Sequence, residues 1–589
     1  MAHLIPTADK STWNFDGQVV FLGEWCLTSK NEELIRNMNY LVSPPYGSSK
    51  FEKDRDYLAS KETFNDLLDT LVTILNDYHQ VNLTKKSWKI LVGPWLLEYV
   101  QMVTNRVNTL LQCLNTFAID SISADSNSKS CLASETTQSF MWNCQKDSWN
   151  HQLSLKLLDL LGLSHIKKID LQNSIEKQPE ISLQISEPIA VSLRYRLQVI
   201  IFYLQHLFDK LVIRNKALVI GNYQSLFSEI RLQIGLGLFP FIYRGRVPTI
   251  RSRVDSCLRI NFTKSLQIQR CTSASDVAKA LLFEVLPICF LEGFEELKNG
   301  SDTRTFPRNP KLIFTVNNFM YDEEFKFYSA FKSNEGSKVI NGQHGNSGIL
   351  RHENPPIEEM TCDKFLTWGW KGQGNFYLPT FMYRNFGKSI PKSKKDGKLL
   401  LIETSEPLRV KTWDTCFEFR QYLKAQNQFV NLLDFNPKSN LLIRLPLDSA
   451  IKGSPQKQDF LLGDQLEFDK GIVPIRKLLL GSRLVVHSYN STGICETLAF
   501  NFPTIAFWNE GVDEVRDEVV PIFNSLRDAG ILHSGPASAS NKINEVWDKI
   551  DLWWFSKETQ SARNLFCETL ARFENASHSQ IRMALKSFL

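Results

Sequence analysis

The run Arg483-Leu-Val-Val-His-Ser-Tyr-Asn-Ser-Thr-Gly-Ile-Cys-Glu-Thr-Leu498 concentrates the groups that could bind an anion. An apolar stretch, Leu484 to Val486, reads as a buried strand, and Thr504 to Phe507 reads as a second one. Between them Asn490, Ser491, Thr492 and Gly493 offer hydroxyls and free backbone N–H groups at the start of a helix. The positive end of the helix dipole and those N–H groups suit a phosphate. Glu496 follows on the helix, within reach of a ribose diol, as in many open α/β nucleotide sites. A plain Ser/Thr helix cap with an ordinary first-turn acid has the same composition.

A second segment, Asn341-Gly-Gln-His-Gly-Asn-Ser-Gly-Ile-Leu-Arg-His-Glu353, follows another predicted strand, Lys338 to Gly342. Gly342, Gly345 and Gly348 allow a tight turn that exposes backbone. His344 in that turn is a candidate general base, or a donor to a leaving phosphate. Glu353 is a second candidate base, and Gln343 is expected on the acceptor side of the same cleft. In Cys362 to Trp370, Trp368 and Trp370 follow a short predicted strand, placed to stack on a sugar or to seal an interface. Arg444, at the end of Leu441 to Leu445, is a candidate fork for a phosphate or an interface salt bridge.

At the N-terminus the apolar run His3 to Ile5 is followed by Lys10, Thr12 and Trp13, and Gln18 to Gly23 by Glu24 and Trp25. Residues just past strand ends line ligand clefts in open α/β sheets. Lys10, Thr12, Trp13 and Trp25 are therefore expected on the acceptor side, with Glu24 as a reserve base. For Trp13 and Trp25 taken singly, core packing is the favoured reading. No HExxH occurs and no DxD-like pair stands at a predicted strand end, so no metal is expected, and GxxxxGK[ST] and GxSxG are absent too.

The elements that must position these residues alternate strand and helix. Further strands are expected at Lys89 to Gly93, Ala217 to Gly221, Lys311 to Val316 and Leu399 to Glu403, and helices at Glu62 to Val81, Tyr99 to Phe117, Ser275 to Leu297 and about 414–430. Leu193 to Arg214 reads as a core helix, Asp120 to Trp149 as a surface loop, and the basic stretch Gly387 to Lys398 as a linker. The pattern predicts an α/β protein with two Rossmann-like, doubly wound domains facing across a cleft, the two-domain GT-B architecture. The N-terminal acceptor-side domain is expected over 1–390, with a helical insertion at about 99–214. The nucleotide-sugar-binding domain, ending in helices, is expected over 391–589.

The chain has 589 residues, too many for one core. Its 68 basic and 63 acidic residues leave a formal charge of +5, which gives no sign of nucleic-acid binding and allows a weak attraction to an anionic membrane. Eleven scattered cysteines without a CxxC pair suit reduced thiols in the cytoplasm. No apolar stretch approaches the ~20 residues of a membrane span, and the first residues lack signal-peptide character.

Taken in order, Lys10-Ser-Thr-Trp13, Phe21-Leu-Gly-Glu-Trp-Cys26, Ser87-Trp-Lys-Ile-Leu-Val-Gly-Pro-Trp95, Gly342-Gln-His-Gly345, His352-Glu353, Phe365-Leu-Thr-Trp-Gly-Trp370, Arg444-Leu-Pro446, Tyr489-Asn-Ser-Thr-Gly493, Glu496-Thr-Leu498 and Asp551-Leu-Trp-Trp554 resemble a family of bacterial surface-polysaccharide (O-antigen) transferases. The C-terminal half is also similar to hydrolysing sugar-nucleotide epimerases and to Kdo or sialic-acid transferases. The resemblance implies a metal-independent glycosyltransferase without a resident cofactor. Its donor would be a nucleotide-sugar, with a CMP-linked nonulosonate or Kdo slightly favoured, and its acceptor a surface glycan or a lipid-linked precursor. It also implies phosphate contact at Ser491, Thr492 and Gly493 and ribose contact at Glu496; the cysteine usage points to a cytoplasmic protein, and its charge allows peripheral contact with the inner membrane. A sugar-nucleotide epimerase or hydrolase, and a non-catalytic glycan-assembly protein, are the alternatives on the same scaffold.

Overall fold

The computed structural model describes residues 2–14, 17–28, 31–36, 38–124, 131–170, 208–268, 270–349, 357–372, 374–385, 391–447, 466–508, 515–573 and 577–589. They form three parallel β-sheets rather than two, each with helices against it.

The first sheet contains β1 (Ala2–Ile5), β2 (Gln18–Phe21), β3 (Tyr40–Val42), β4 (Ile119–Ala124) and β5 (Lys167–Asp170), in the order β3-β2-β1-β4-β5. The second contains β6 (Ala217–Val219), β7 (Leu312–Thr315), β8 (Lys338–Gly342), β9 (Lys364–Thr367) and β10 (Tyr377–Pro379), laid side by side in chain order. The third contains β11 (Lys398–Ile402), β12 (Leu441–Arg444), β13 (Glu467–Asp469), β14 (Ser482–His487), β15 (Thr504–Phe507) and β16 (Leu532–His533). Its order, β13-β12-β11-β14-β15-β16, reverses direction between β11 and β14. That is the doubly wound Rossmann order, and its reversal point is where open sheets leave a crevice at the strand ends.

The central strands are continuous apolar runs because both faces are covered. Leu399, Leu401, Leu484, Val486, Ile505 and Phe507 pack on one face of the third sheet, and Leu400, Val485 and Phe502 on the other. Two long helices cover the first and second sheets together: α1 (Lys50–His79) and α2 (Lys85–Thr116). Ser49 and Glu52 form a reciprocal capping box at the start of α1, and Gln80 ends it in a left-handed conformation. Trp88, Trp95, Tyr99 and Met102 of α2 join one core with Leu4 of β1 and with Ile313 and Val339 of the second sheet. A second core runs from Ile340 and Trp368 to Ile494 and Leu498, so the second and third sheets share apolar packing too.

Several expectations need correction. Lys89 to Gly93 lies inside α2, not in a strand. Its apolar run is one stripe of a longer helical pattern that includes Trp88, Trp95 and Tyr99, all fully buried. The stretch 99–214 is not purely helical, because β4 and β5 within it complete the first sheet. Asp120 to Trp149 is not a loop. It contributes most of β4 and, among the described residues, the helix Thr137–Asn143. Ser275 to Leu297 is split, since α3 (Ala274–Val285) ends just before Pro287. Most of Leu193 to Arg214 and part of the Gly387 to Lys398 linker lie outside the described residues.

Candidate functional site

Three segments converge on the carboxyl ends of the third sheet's strands. The first is the turn after β14, which leads into α4 (Thr492–Ala499). Ser491 occupies the N-cap position in an extended conformation, yet its side chain makes no capping bond. Its hydroxyl lies 3.2 Å from Nδ1 of His487 instead. His487 is buried, its Nε2 is 3.2 Å from the Thr497 hydroxyl, and burial pushes its pKa down to about 3. It is therefore a neutral brace inside the turn. Gly493 is needed for space. A Cβ there would stand 2.6 Å from Cε1 of His487. With the N-cap side chain turned inward, the first N–H groups of α4 keep no side-chain cap.

The second segment is the loop after β8. Gly342 lets this strand end pass closely under its neighbours, since a Cβ would stand 2.5 Å from the Tyr383 hydroxyl. Gln343 is buried and fully engaged. Its Oε1 accepts from the Trp368 N–H and the Trp370 indole, both at 2.9 Å, and its Nε2 donates to the Gly345 carbonyl at 2.7 Å. It stiffens the loop rather than facing an acceptor. His344 is half-buried, with Nε2 2.6 Å from the Tyr223 hydroxyl and its ring stacked on that tyrosine at 5.1 Å. Burial, and secondarily the Arg384 guanidinium, hold the His344 pKa below its ordinary value. Burial raises that of Tyr223, so this pair is a neutral imidazole against a protonated phenol.

The loop and the turn face each other. Asn346 Nδ2 donates to the backbone oxygen and to Oδ1 of Asn490, at 3.1 and 3.0 Å. A Cβ on Gly345 would stand 2.8 Å from the Thr492 hydroxyl.

Arg384, just past β10, closes the group from the third side. It lies 3.2 Å from Oε1 of Glu496, and its guanidinium sits 5.6 Å over the Tyr223 ring. Neither Tyr223 nor Arg384 is among the residues expected from sequence. Tyr223 follows the glycine that ends a predicted strand and has φ +57°, a conformation unusual for tyrosine. Its strand-end position was the available signal. Arg384 carried none.

The remaining expected residues lie elsewhere. Arg444 is committed to the loop after β13, with Nη1 2.8 Å from Asp469 and 2.6 Å from the Val473 carbonyl. Glu24 pairs with Arg420 at 3.3 Å, across the contact between the first and third sheets. The Trp13 indole donates to the Thr7 carbonyl at 2.9 Å, inside a small core with Phe21. Trp25 donates to the Pro6 carbonyl, and the Arg409 guanidinium lies 3.7 Å over its ring. Lys10 is exposed, and the Thr12 hydroxyl is spent on the Asp9 carbonyl at 2.8 Å. Glu353 lies outside the described residues. Among the described residues no cluster of three His, Cys, Asp or Glu side chains could hold a metal ion, and no helix is long and apolar enough to cross a membrane.

Parallel α/β sheets, with an uncapped helix start at the reversal point of a doubly wound sheet, define an α/β protein of Rossmann-like architecture. The chain belongs to the LIC12162 family of transferases, whose family model matches residues 2–585. It is a transferase. No curated protein matches it. Solved structures with some similarity include Acinetobacter baumannii MurG, at 9% identity and a TM-score of 0.29 over 59% of this chain and 84% of that one. The wall teichoic acid polymerase TagF is similar at 10% identity and a TM-score of 0.30, over 67% of this chain and 96% of that one. WaaG, a glycosyltransferase involved in lipopolysaccharide biosynthesis, is similar at 13% identity and a TM-score of 0.28, over 63% and 99%.

Proposed function

We propose that this transferase moves a glycosyl group from a nucleotide-sugar to a hydroxyl of a surface glycan or its lipid-linked precursor, with a CMP-linked donor slightly favoured. One observation carries the reading: the His344 loop is held directly against the uncapped helix start at Asn490–Gly493 by the two Asn346–Asn490 hydrogen bonds. A site that joins free N–H groups to a neutral imidazole suits a leaving phosphate next to a proton acceptor.

In this reading the backbone N–H groups at the start of α4 and the Thr492 hydroxyl hold the donor phosphate. Glu496 takes the ribose hydroxyls. Arg384, not Arg444, supplies the cation, because the Arg444 guanidinium is bonded into the Asp469–Val473 loop. The bond from the anomeric carbon to the phosphate oxygen breaks as the acceptor oxygen bonds to that carbon. The electron pair leaves with the nucleotide, and the acceptor's proton passes to the imidazole of His344. Tyr223 fixes the ring by its contact at Nε2, which leaves Nδ1 for the reacting groups. The nucleotide-sugar is the co-substrate, and the reading calls for neither metal nor resident cofactor. It places the enzyme in the cytoplasm, where its small positive charge favours passing contact with an anionic inner-membrane face.

The test is a thermal-shift series with CMP-, UDP-, GDP- and dTDP-sugars, each with and without EDTA. One nucleotide class should raise the melting temperature, unaffected by chelator, and the rise should vanish in Glu496→Ala. His344→Ala should keep the rise and lose turnover. A melting temperature indifferent to all four classes refutes the proposal.

A further inference from the structure

The third sheet's crevice opens in a second direction, toward the first sheet. There a cavity of about 450 Å³ lies between the loop Pro45–Ser48, the helix α5 (Thr415–Asn431), and the ends of β11, β14 and β15. This volume is within the usual range for small-molecule sites, roughly 300–1,000 Å³. The cavity shares Asn490 with the site described above.

Its walls are held in place from both sides. The Asp414 N–H donates to the Tyr46 carbonyl at 2.9 Å. Gly47 has φ +72°, and a Cβ there would stand 2.6 Å from Cβ of Trp413, so the loop passes as close as a glycine allows. Arg420 of α5 donates to the carbonyls of Glu24 and Leu27 at 2.6 and 2.8 Å.

The lining combines aromatic faces with buried amides. Trp413, Phe417, Tyr422 and Trp508 supply the faces. Gln426 is 1% exposed, and its Oε1 has no hydrogen-bond partner. Asn490 Nδ2, also buried, has none either. A buried acceptor and a buried donor left unmatched each cost about 1–3 kcal/mol, and a ligand carrying hydroxyls would match both. Aromatic faces beside amides suit a sugar ring, with C–H faces for the rings and hydroxyls for the amides.

We propose that this cavity binds a sugar ring of the acceptor. The inference rests on the transferase reading above and adds the place of its second substrate. The donor phosphate at the start of α4 divides the crevice. Glu496 and Arg384 lie on the side of the second sheet, where the nucleoside is assigned. The cavity lies on the other side, with a wall from the first sheet that a nucleotide site has no need of. The acceptor hydroxyl then reaches the anomeric carbon past Asn490.

Two measurements on the full chain test this together. Saturation-transfer NMR is run with free galactose, mannose, rhamnose and N-acetylglucosamine at millimolar concentration, on the wild type and on Gln426→Leu and Phe417→Ala. The nucleotide thermal-shift series is repeated on all three, with folding checked by circular dichroism. At least one monosaccharide should be saturated by the wild type, fivefold or more weakly by both variants, while the nucleotide shift is unchanged. Wild type that saturates none of the four sugars overturns the proposal, as do variants that saturate them equally well. Variants that keep the sugar and lose the nucleotide shift also overturn it, by making the cavity a base pocket. A wild type without any nucleotide shift refutes the donor reading instead, and the acceptor assignment falls with it.

Discussion

Replacing Gly493 by alanine adds one methyl group at the most crowded point of the turn. Its carbon would stand 2.6 Å from Cε1 and 3.1 Å from Nδ1 of His487, and 3.2 Å from the Ser491 hydroxyl. Carbon atoms pack at about 3.5–4.0 Å, so His487 or the helix start must move by about 1 Å. The imidazole is poorly placed to yield, being buried and held by Thr497 at 3.2 Å. Overpacking of this kind costs about 1–3 kcal/mol. Alanine in a helix returns up to about 1 kcal/mol relative to glycine. The steric effect should win, leaving Gly493→Ala less stable by about 1–2 kcal/mol in urea denaturation and without its nucleotide-induced thermal shift. His487→Ala vacates the space. The double variant should therefore be more stable than the sum of the single changes predicts, by about 1 kcal/mol or more. If Gly493→Ala is as stable as the wild type and keeps its nucleotide response, the turn is not packed as described and the reasoning fails.

Three further outcomes are expected. His487 has a native pKa of about 3, against about 6.5 for an unfolded histidine, so between these values the unfolded chain binds a proton that the native state does not. Its contribution is complete above pH ~6.5 and falls by roughly 1 kcal/mol per pH unit toward pH 3; His487→Gln should flatten the stability profile between pH 6 and 4, and identical slopes would contradict this. Lys326 and Glu323 form a pair 2.8 Å apart with both side chains wholly buried. Lys326→Met leaves the Glu323 charge alone and should cost about 3–5 kcal/mol in denaturant melts; a loss below about 1 kcal/mol would show that the pair is dispensable. Arg384→Ala should weaken nucleotide binding by about tenfold in calorimetry, whereas Arg444→Ala should change it little and instead raise hydrogen exchange at 469–473; the reverse ranking would restore Arg444 to the phosphate.

The strands most legible in the sequence were those buried on both faces. β7, β11, β14 and β15 are built on unbroken apolar runs ending in polar turns, and the structure places each of them, and β8, within a residue or two of its expected bounds. The strands that went unread are short or half-exposed. β3, β10 and β13 have three residues each and β16 has two, and β5 is exposed along its length. Such segments bury too little apolar surface to leave a period, and only pairing with a neighbour identifies them. The extra sheet follows from the same blindness. With β4 and β5 unread, the first sheet looked like a few strands before a helical insertion, and its separation from the second sheet could not be seen.

The site divides along a similar line. His344 and the Asn490–Gly493 turn were readable because each is a short motif after a buried strand, where backbone geometry alone brings residues to the cleft. Arginines were not, because a long side chain reaches many partners and local sequence does not say which. Arg444 ends a central strand of the third sheet but turns toward β13, where Asp469 and two carbonyls meet its guanidinium. Arg384 sits in an unremarkable loop of another sheet and is drawn to the turn by Glu496. Gln343 shows the converse. Its motif pointed to the cleft, yet a buried amide must satisfy its own hydrogen bonds, and the nearest donors were the Trp368 backbone and the Trp370 indole. A strand end therefore predicts where backbone goes. Which long side chain completes the charge of the site depends on a contact between sheets, and that contact exists only once the three of them have packed.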